Sequence, residues 1–202
     1  MIALGQVNSA SGDGSLFSFP LDSPGADRLL LVSVSYKPGA NIGIDGVTYG
    51  GAPLVSLGLA QLTTVLATEV FYLIAPPAGT ASVECALSVA TKTIVAAATF
   101  TGVDQANPIY FNTNGIGQMV TEIPLVCQAQ NGDMLIGLGA CVGTSASPIE
   151  AWQTSVWDVA QASNLRSQGI CSFPNFTAEF TVSNTVDPVT DWALSVLGIK
   201  AA

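Results

Sequence analysis

The sequence predicts an all-β protein, folded as an antiparallel β-sandwich of the jelly-roll kind. Short runs of Val, Ile, Leu, Thr and aromatic residues recur about ten residues apart, which is the spacing of strands in sandwiches. Tight-turn pairs such as Asp45-Gly46, Asn114-Gly115 and Asn131-Gly132 separate these runs. Helical periodicity is weak throughout, and only Ser155–Arg166 is expected to form a helix.

The first half of the chain contains eight predicted strands, which are rich in β-branched and apolar residues and end at turn sequences. Asp13 lies between the first two, in Ser11-Gly12-Asp13-Gly14, which is expected to form a flexible turn. Pro76-Pro77-Ala78-Gly79 makes a rigid reversal after the sixth strand. The eight strands are Ile2–Val7, Ser15–Leu21, Arg28–Lys37, Val47–Tyr49, Pro53–Leu62, Ala67–Ile74, Ala81–Val89 and Lys92–Gly102.

The second half contains seven predicted strands of the same composition. The third of them follows the turn at Asn131-Gly132, and the last one carries Trp192, which is expected to lie in the core. The seven strands are Ile109–Asn112, Gln118–Cys127, Asp133–Val142, Ala151–Val156, Gly169–Phe173, Ala178–Val182 and Asp191–Ile199.

Some strands are apolar on both faces. Leu29–Val32 and Ile94–Ala98 are the clearest, so we expect them to be central strands with a cover on each side. Gly137-Leu138-Gly139 predicts a close approach of a second layer or of another subunit. A weak echo relates residues 28–32 to residues 133–137, through equivalent strands or by coincidence. No linker divides the chain, so we expect a single β-sandwich domain spanning residues 1–202.

The charge balance argues against several kinds of partner. Only 9% of residues are charged and the net charge is −9, with five cations in all. Scattered cations cannot neutralise a row of phosphates, so we predict no nucleic-acid partner and no basic membrane anchor. No apolar run approaches the ~18 residues of a transmembrane helix, and the first residues do not resemble a signal peptide. The five cations are Arg28, Lys37, Lys92, Arg166 and Lys200.

Catalysis has little support in this sequence. The chain contains no histidine, which excludes Ser-His-Asp and Cys-His nucleophiles. Lys37 and Lys92 are expected in solvated turns rather than in a Ser-Lys pair. Glu69 alternates with Phe71 and Leu73, which leaves open an apolar-facing carboxylate, but an edge or strand-end position is favoured. The chain is therefore predicted not to be an enzyme and to have no catalytic residues. No two of its glutamates have a spacing that fixes them as a catalytic carboxylate pair; they are Glu69, Glu84, Glu122, Glu150 and Glu179.

No cofactor or metal ligand is predicted either. A loop containing Asn184, Asp187 and Asp191 is the best calcium candidate, but it is expected to be an ordinary polar loop. Trp152 and Trp157 flank a polar stretch and are expected to be partly exposed, so sugar stacking by this pair was weighed against packing, which is favoured.

The four cysteines, Cys85, Cys127, Cys141 and Cys171, form no CxxC pair. Cys85 and Cys127 alternate with apolar residues and therefore resemble small core side chains. Free buried thiols are the favoured interpretation, and one or two disulfides remain the alternative.

A series of motifs in residues 28–110 resembles a known module. It comprises Arg28–Val32, then Val47-Thr48-Tyr49-Gly50-Gly51, then Glu69–Leu73 with Pro76–Thr80, and finally Phe100–Gln105 with Pro108. These motifs resemble a recurrent, mostly uncharacterised β-sandwich module of bacterial, phage and environmental proteins, often found in virion or surface proteins. The resemblance implies a sandwich fold and no catalytic residue.

We therefore expect a non-enzymatic structural protein of a particle, foremost a phage virion component such as a capsid decoration, capsid or tail protein. Low charge and an apolar surplus of 49% favour burial of surface against copies of itself, with a trimer first, and against other virion proteins. The alternative is a glycan-binding or adhesive β-sandwich module, secreted or at a cell surface.

Overall fold

The computed structural model describes residues 1–39, 42–143, 149–161 and 164–202, with the side chains of 121–123 and 180–189 left out. The fold is all-β with antiparallel sheets, so the β-sandwich prediction is confirmed. The strands are β1 (Ala3–Ser23), β2 (Leu29–Tyr36), β3 (Ile44–Tyr49), β4 (Ala52–Pro53), β5 (Val55–Leu62), β6 (Leu66–Ile74), β7 (Gly79–Thr101), β8 (Ile109–Ala129), β9 (Met134–Cys141), β10 (Gln153–Gln161), β11 (Leu165–Ser172) and β12 (Ala178–Ile199).

Two sheets contain these strands. The first sheet has the order β4-β3-β7-β2-β6-β5, and β1 pairs with β7 along almost the whole length of both strands. The second sheet has the order β10-β11-β9-β12-β8. The turns at Asn131-Gly132 and Pro76–Gly79 connect strands as predicted, and Gly132 and Gly79 take the positive φ that glycine accommodates best. The tight turns predicted at Asp45-Gly46 and Asn114-Gly115 are wrong, because these residues lie inside β3 and β8, which pair with neighbouring strands.

Eight of the predicted strands join in pairs into four long ones: β1, β7, β8 and β12. The flexible turn predicted around Asp13 is wrong, because Gly12, Asp13 and Gly14 continue β1 and pair with residues 91–93 of β7. Lys92 likewise lies inside β7 rather than in a turn. The register of β1 against β7 shifts between Gly14 and Leu16, so the strand continues through a bulge or irregularity there rather than ending in a turn.

The first sheet curls until it is nearly closed. Its enclosed core brings residues 17–21 of β1, 47–49 of β3 and 83–87 of β7 against β2, β6 and the second part of β7. One chain therefore supplies more than two layers. The cover predicted on each face of Ile94–Ala98 is confirmed, and it comes from within the chain rather than from a neighbouring subunit.

The other face of β2 and β7 packs against the second sheet. Leu29, Leu31 and Phe100 contact a cluster that includes Ile136 and Leu197. All five side chains are fully buried, which places a continuous core between the two sheets. Leu29–Val32 is thus a central strand segment with a cover on each side, as the sequence predicts.

The second sheet repeats the plan of the first. Pairing follows β1-β7-β2-β6-β5 in one and β8-β12-β9-β11-β10 in the other, with each strand in the same chain order and of nearly the same length. The equivalent edge strands β5 and β10 each carry a bulge at the same place, between Ser56 and Gly58 in β5 and between Ser155 and Trp157 in β10. The echo of residues 28–32 in 133–137 therefore reflects equivalent strands, β2 and β9. Only the hairpin β3–β4 has no counterpart among the described residues.

The helix predicted over Ser155–Arg166 is wrong. Residues up to Gln161 form β10 and residues from Leu165 form β11, which pair as an antiparallel hairpin. Val156 and Trp157 are buried against the first sheet, and β-branched and aromatic side chains of this kind favour a pleated surface. Among the described residues no helix is present that could span a membrane.

Candidate functional site

The glutamates considered as catalytic candidates lie on separate elements. Glu69 is in the middle of β6, next to the edge strand β5, so the predicted edge or strand-end position is wrong. It is partly buried and accepts a hydrogen bond from the Ser56 hydroxyl at 2.5 Å. Glu84 is exposed on β7, while Glu150 and Glu179 lie in the turn before β10 and at the start of β12. The side chain of Glu122 is outside the described residues.

The lysines and the calcium candidates are engaged locally. Lys92 lies 3.8 Å from the Asp13 carboxylate, and the Thr91 hydroxyl donates to the Lys37 carbonyl. Asp191 accepts a hydrogen bond from the backbone N–H of Met119 at 2.8 Å. The side chains of Asn184 and Asp187 are outside the described residues. Within the described part of the chain, no group of three or more metal-ligating side chains comes together.

All four cysteines are buried and none forms a disulfide, which confirms the favoured interpretation. Burial raises the pKa of the Cys85 thiol to about 12 and that of the Cys141 thiol to about 11. Burial also raises the pKa of Cys171. A thiol is a nucleophile only as the thiolate, so these groups are packing side chains at neutral pH.

The three tryptophans have different environments. Trp192 is buried, as predicted. Trp157 is only 5% exposed, and its Nε1–H donates to the Ser167 hydroxyl at 3.2 Å. Trp152 is 62% exposed at the start of β10. Packing, the favoured interpretation, is therefore confirmed for Trp157 and wrong for Trp152, and the two rings do not form a shared platform.

Trp152 belongs to an exposed apolar patch at one end of the second sheet, which we call the aromatic end. Trp152 directly precedes β10 and Phe173 directly follows β11, and the strand residues next to them, Gln153 and Ser172, are paired. Phe173 and Phe176 are 49% and 45% exposed, and Ile149 is exposed in the turn that precedes Trp152. The Glu150–Gln153 turn is closed by two hydrogen bonds, of 2.9 and 3.0 Å, which fix where the tryptophan leaves the sheet.

A second surface feature lies on the outer face of β1, β7 and β3, which we call the hairpin groove. It is a shallow depression of about 470 Å³. Register places Ser18, Glu84 and Thr48 in one row across the three strands, with Ala86 next to them. Leu16, Ser18, Asp45, Gly46, Thr48, Glu84 and Ala86 line it, together with Phe17 and Cys85.

Neither feature was identified from the sequence. The groove depends on the register of three strands that are far apart in the chain, which no local pattern contains. For the aromatic end, the sequence indicated only that Trp152 could be exposed, and nothing in it indicated the exposure of Phe173 and Phe176. In comparisons with known proteins, no family profile, no curated protein and no solved structure matches the chain.

Proposed function

We propose that the protein is a non-enzymatic structural component of a particle, foremost a phage virion, and that it assembles through protein–protein contacts at the aromatic end. The observation that carries this proposal is the exposure of four large apolar side chains, those of Trp152, Phe173, Phe176 and Ile149, all within four residues of the paired strand ends Gln153 and Ser172. Exposed apolar residues that concentrate in one region mark protein interaction sites, and aromatic residues dominate the energy of such interfaces.

The local charge supports a protein partner at this end. Arg166, the cation of the β10–β11 hairpin, lies at the hairpin's opposite end and is paired with Asp158. The aromatic end is therefore apolar with an acidic neighbour, Glu150, and offers no basic side chain of this hairpin for anionic ligands. A partner that buries three rings and tolerates a nearby carboxylate fits the surface of another subunit.

The packing within the chain limits which surfaces are left for assembly. Both faces of the central strands β2 and β7 are covered by the chain itself, so a neighbouring subunit does not need to cover either face. Contact between copies, or with other virion proteins, is thus expected at surface patches rather than by shared sheet layers.

Assembly can be tested with paired substitutions. Light scattering and sedimentation over a concentration series, with and without the parent virion, should show self-association or particle binding by the wild type. The double variant Trp152→Ser and Phe173→Ser should weaken it about tenfold or more, because loss of central aromatic contacts costs about 2 kcal/mol or more.

Val89→Ser is the matched control. Val89 is 52% exposed at the bend of β7, away from the aromatic end, so its change should leave assembly intact. A wild type that stays monomeric and binds no virion would refute the proposal, and so would a double variant that assembles as well as the control.

A further inference from the structure

We infer that the hairpin groove is a binding site for a neutral saccharide. This inference goes beyond the assembly role and does not depend on it, because the groove belongs to the first sheet and the aromatic end to the second. The groove volume of about 470 Å³ lies within the range of small-ligand sites, which hold compact ligands of one or two sugar rings.

The shape of the groove comes from small residues. Gly46 and Ala86 lie beside each other in the register, and a Cβ built at Gly46 would meet no atom within 4 Å. The space above Gly46 is therefore open. Leu16 is 78% exposed beside them and offers an aliphatic surface to the C–H face of a ring.

The polar groups of the groove suit hydroxyl ligands. Asp45 and Glu84 supply carboxylate oxygens that accept hydrogen bonds, and neither is ion-paired with a described cation. Ser18 supplies a hydroxyl that is held 2.7 Å from that of Ser82. A saccharide hydroxyl can donate to a carboxylate and accept from a serine at once, whereas a cation cannot accept from the serine and a fully deprotonated anion cannot donate to the carboxylate.

Thr48 gives a separate indication. Its hydroxyl is closed off from solvent and has no hydrogen-bond partner among the described groups, although the residue lines the groove. A buried hydroxyl without a partner is costly and needs an explanation, such as a role in binding. Rotation of the Thr48 side chain about χ1 would be needed to bring this hydroxyl into the groove, where a ligand hydroxyl could pair with it.

The element that supplies Asp45, Gly46 and Thr48 is also the one that breaks the repeat. The hairpin β3–β4 is added to the first half only, and it widens the ribbon of β1 and β7 to three strands. The described strands of the second sheet take the equivalent order without such a hairpin, so the shared strand order does not depend on it. Surface elements of this kind are where binding sites are built on a common scaffold.

Nuclear magnetic resonance titration with cellobiose, maltose, lactose and diacetylchitobiose, in the presence of a chelator, tests the site. At least one sugar should shift the amide signals of Gly46, Thr48 and Ala86 saturably, with a Kd of about 1 mM, as weak small-ligand sites show. Glu84→Gln should weaken this binding about tenfold. Glu179→Gln, an exposed glutamate outside the groove, makes the same charge change and should not.

A second pair of variants tests the space itself. Gly46→Val should fill the groove and abolish binding, while Gly43→Val adds the same side chain in open space outside the groove lining and should retain it. Failure of all four sugars to bind would overturn the inference, as would binding that survives Gly46→Val or shifts only signals around Trp152. Neither result would alter the assembly measurements, so the two proposals fail separately.

Discussion

In the bulge of β5, Gly58 faces Val70, whereas at the same place in β10 Trp157 faces Gly169. The two halves of the molecule therefore use the same strand plan and exchange the large and the small residue. The ring of Trp157 lies over Gly169, where an added Cβ would come within 2.8 Å of it. In the second half the indole ring occupies the space over the glycine, whereas in the first half the glycine is on the edge strand and the larger residue, Val70, is on the inner strand.

The halves also differ on the outside. The first half carries the additional hairpin β3–β4 and its groove, and the second half carries the aromatic end. In the first half, the region corresponding to the aromatic end contains Pro53 and the rigid Pro76-Pro77 turn. The comparison teaches that shared parts form the core, whereas the parts that break the repeat supply the candidate binding surfaces.

The largest expected effect tests the exchange between Trp157 and Gly169. Gly169→Val should destabilise the protein by about 2–3 kcal/mol, because the added side chain collides with the indole ring. Trp157→Gly should cost about 3–5 kcal/mol through the cavity that it leaves. The double variant, which installs the Gly58–Val70 arrangement, should cost less than the two single changes together by about 1–3 kcal/mol.

Urea unfolding measures these free energies. Gly43→Val is the control and should change stability by less than about 0.5 kcal/mol, since it adds the same side chain in open space. If the losses of unfolding free energy of the two single variants simply add up in the double variant, Trp157 and Gly169 are not coupled and the proposed exchange between the halves is wrong.

A smaller effect concerns the hydroxyls buried between the sheets. Ser167 accepts from the Trp157 indole and lies 3.2 Å from the Ser35 hydroxyl of the other half. Ser167→Ala should cost about 1–3 kcal/mol, because it leaves the indole N–H buried without a partner. Ser195→Ala should stay within about 0.5 kcal/mol of the wild type or stabilise it, because the Ser195 hydroxyl has no partner among the described groups. Equal losses for the two variants in urea unfolding would contradict the assigned network.

The smallest effect appears only at alkaline pH. Burial raises the pKa of Cys85 to about 12 from an ordinary 9.0, so the folded chain retains a proton that the unfolded chain releases. Stability from this group is complete below pH 9.0 and should be lost as pH rises towards about 12. In Cys85→Ala the decline of the unfolding free energy above pH 9.0 should be shallower. Cys141→Ala should likewise make the decline of the unfolding free energy shallower, but the contribution of Cys141 should be lost by about pH 11, near its pKa. If the decline has the same slope in the wild type and in both variants, neither thiol makes this contribution.

The central strands could be predicted because the composition of each short segment by itself indicates that it is buried. Leu29–Val32 and Ile94–Ala98 are apolar at every position, so a cover on both faces follows from composition alone. Trp192 was placed in the core for a similar reason, because apolar residues alternate after it. Features of this kind need no knowledge of which strand pairs with which.

The long bent strands and both surface features required tertiary information. Small and polar residues around Asp13 and Lys92 have the composition of turns, and only the pairing of β1 with β7 keeps them extended. The helix over residues 155–166 was wrong because the packing of Trp157 on Gly169 is invisible in one segment. The groove likewise joins Ser18, Thr48 and Glu84, which the chain separates by 30 to 66 positions.

The edges of the two sheets bear on how the protein behaves at high concentration. Asn112 donates from its side chain to the Leu57 carbonyl of β5, and Gln161 of β10 donates to Asp13 of the opposite sheet. The edge strands β5 and β10 are thus bulged and tied to the neighbouring half, which leaves each of them a poor template for another chain's backbone. Fibril growth through these two edges is therefore disfavoured at high protein concentration.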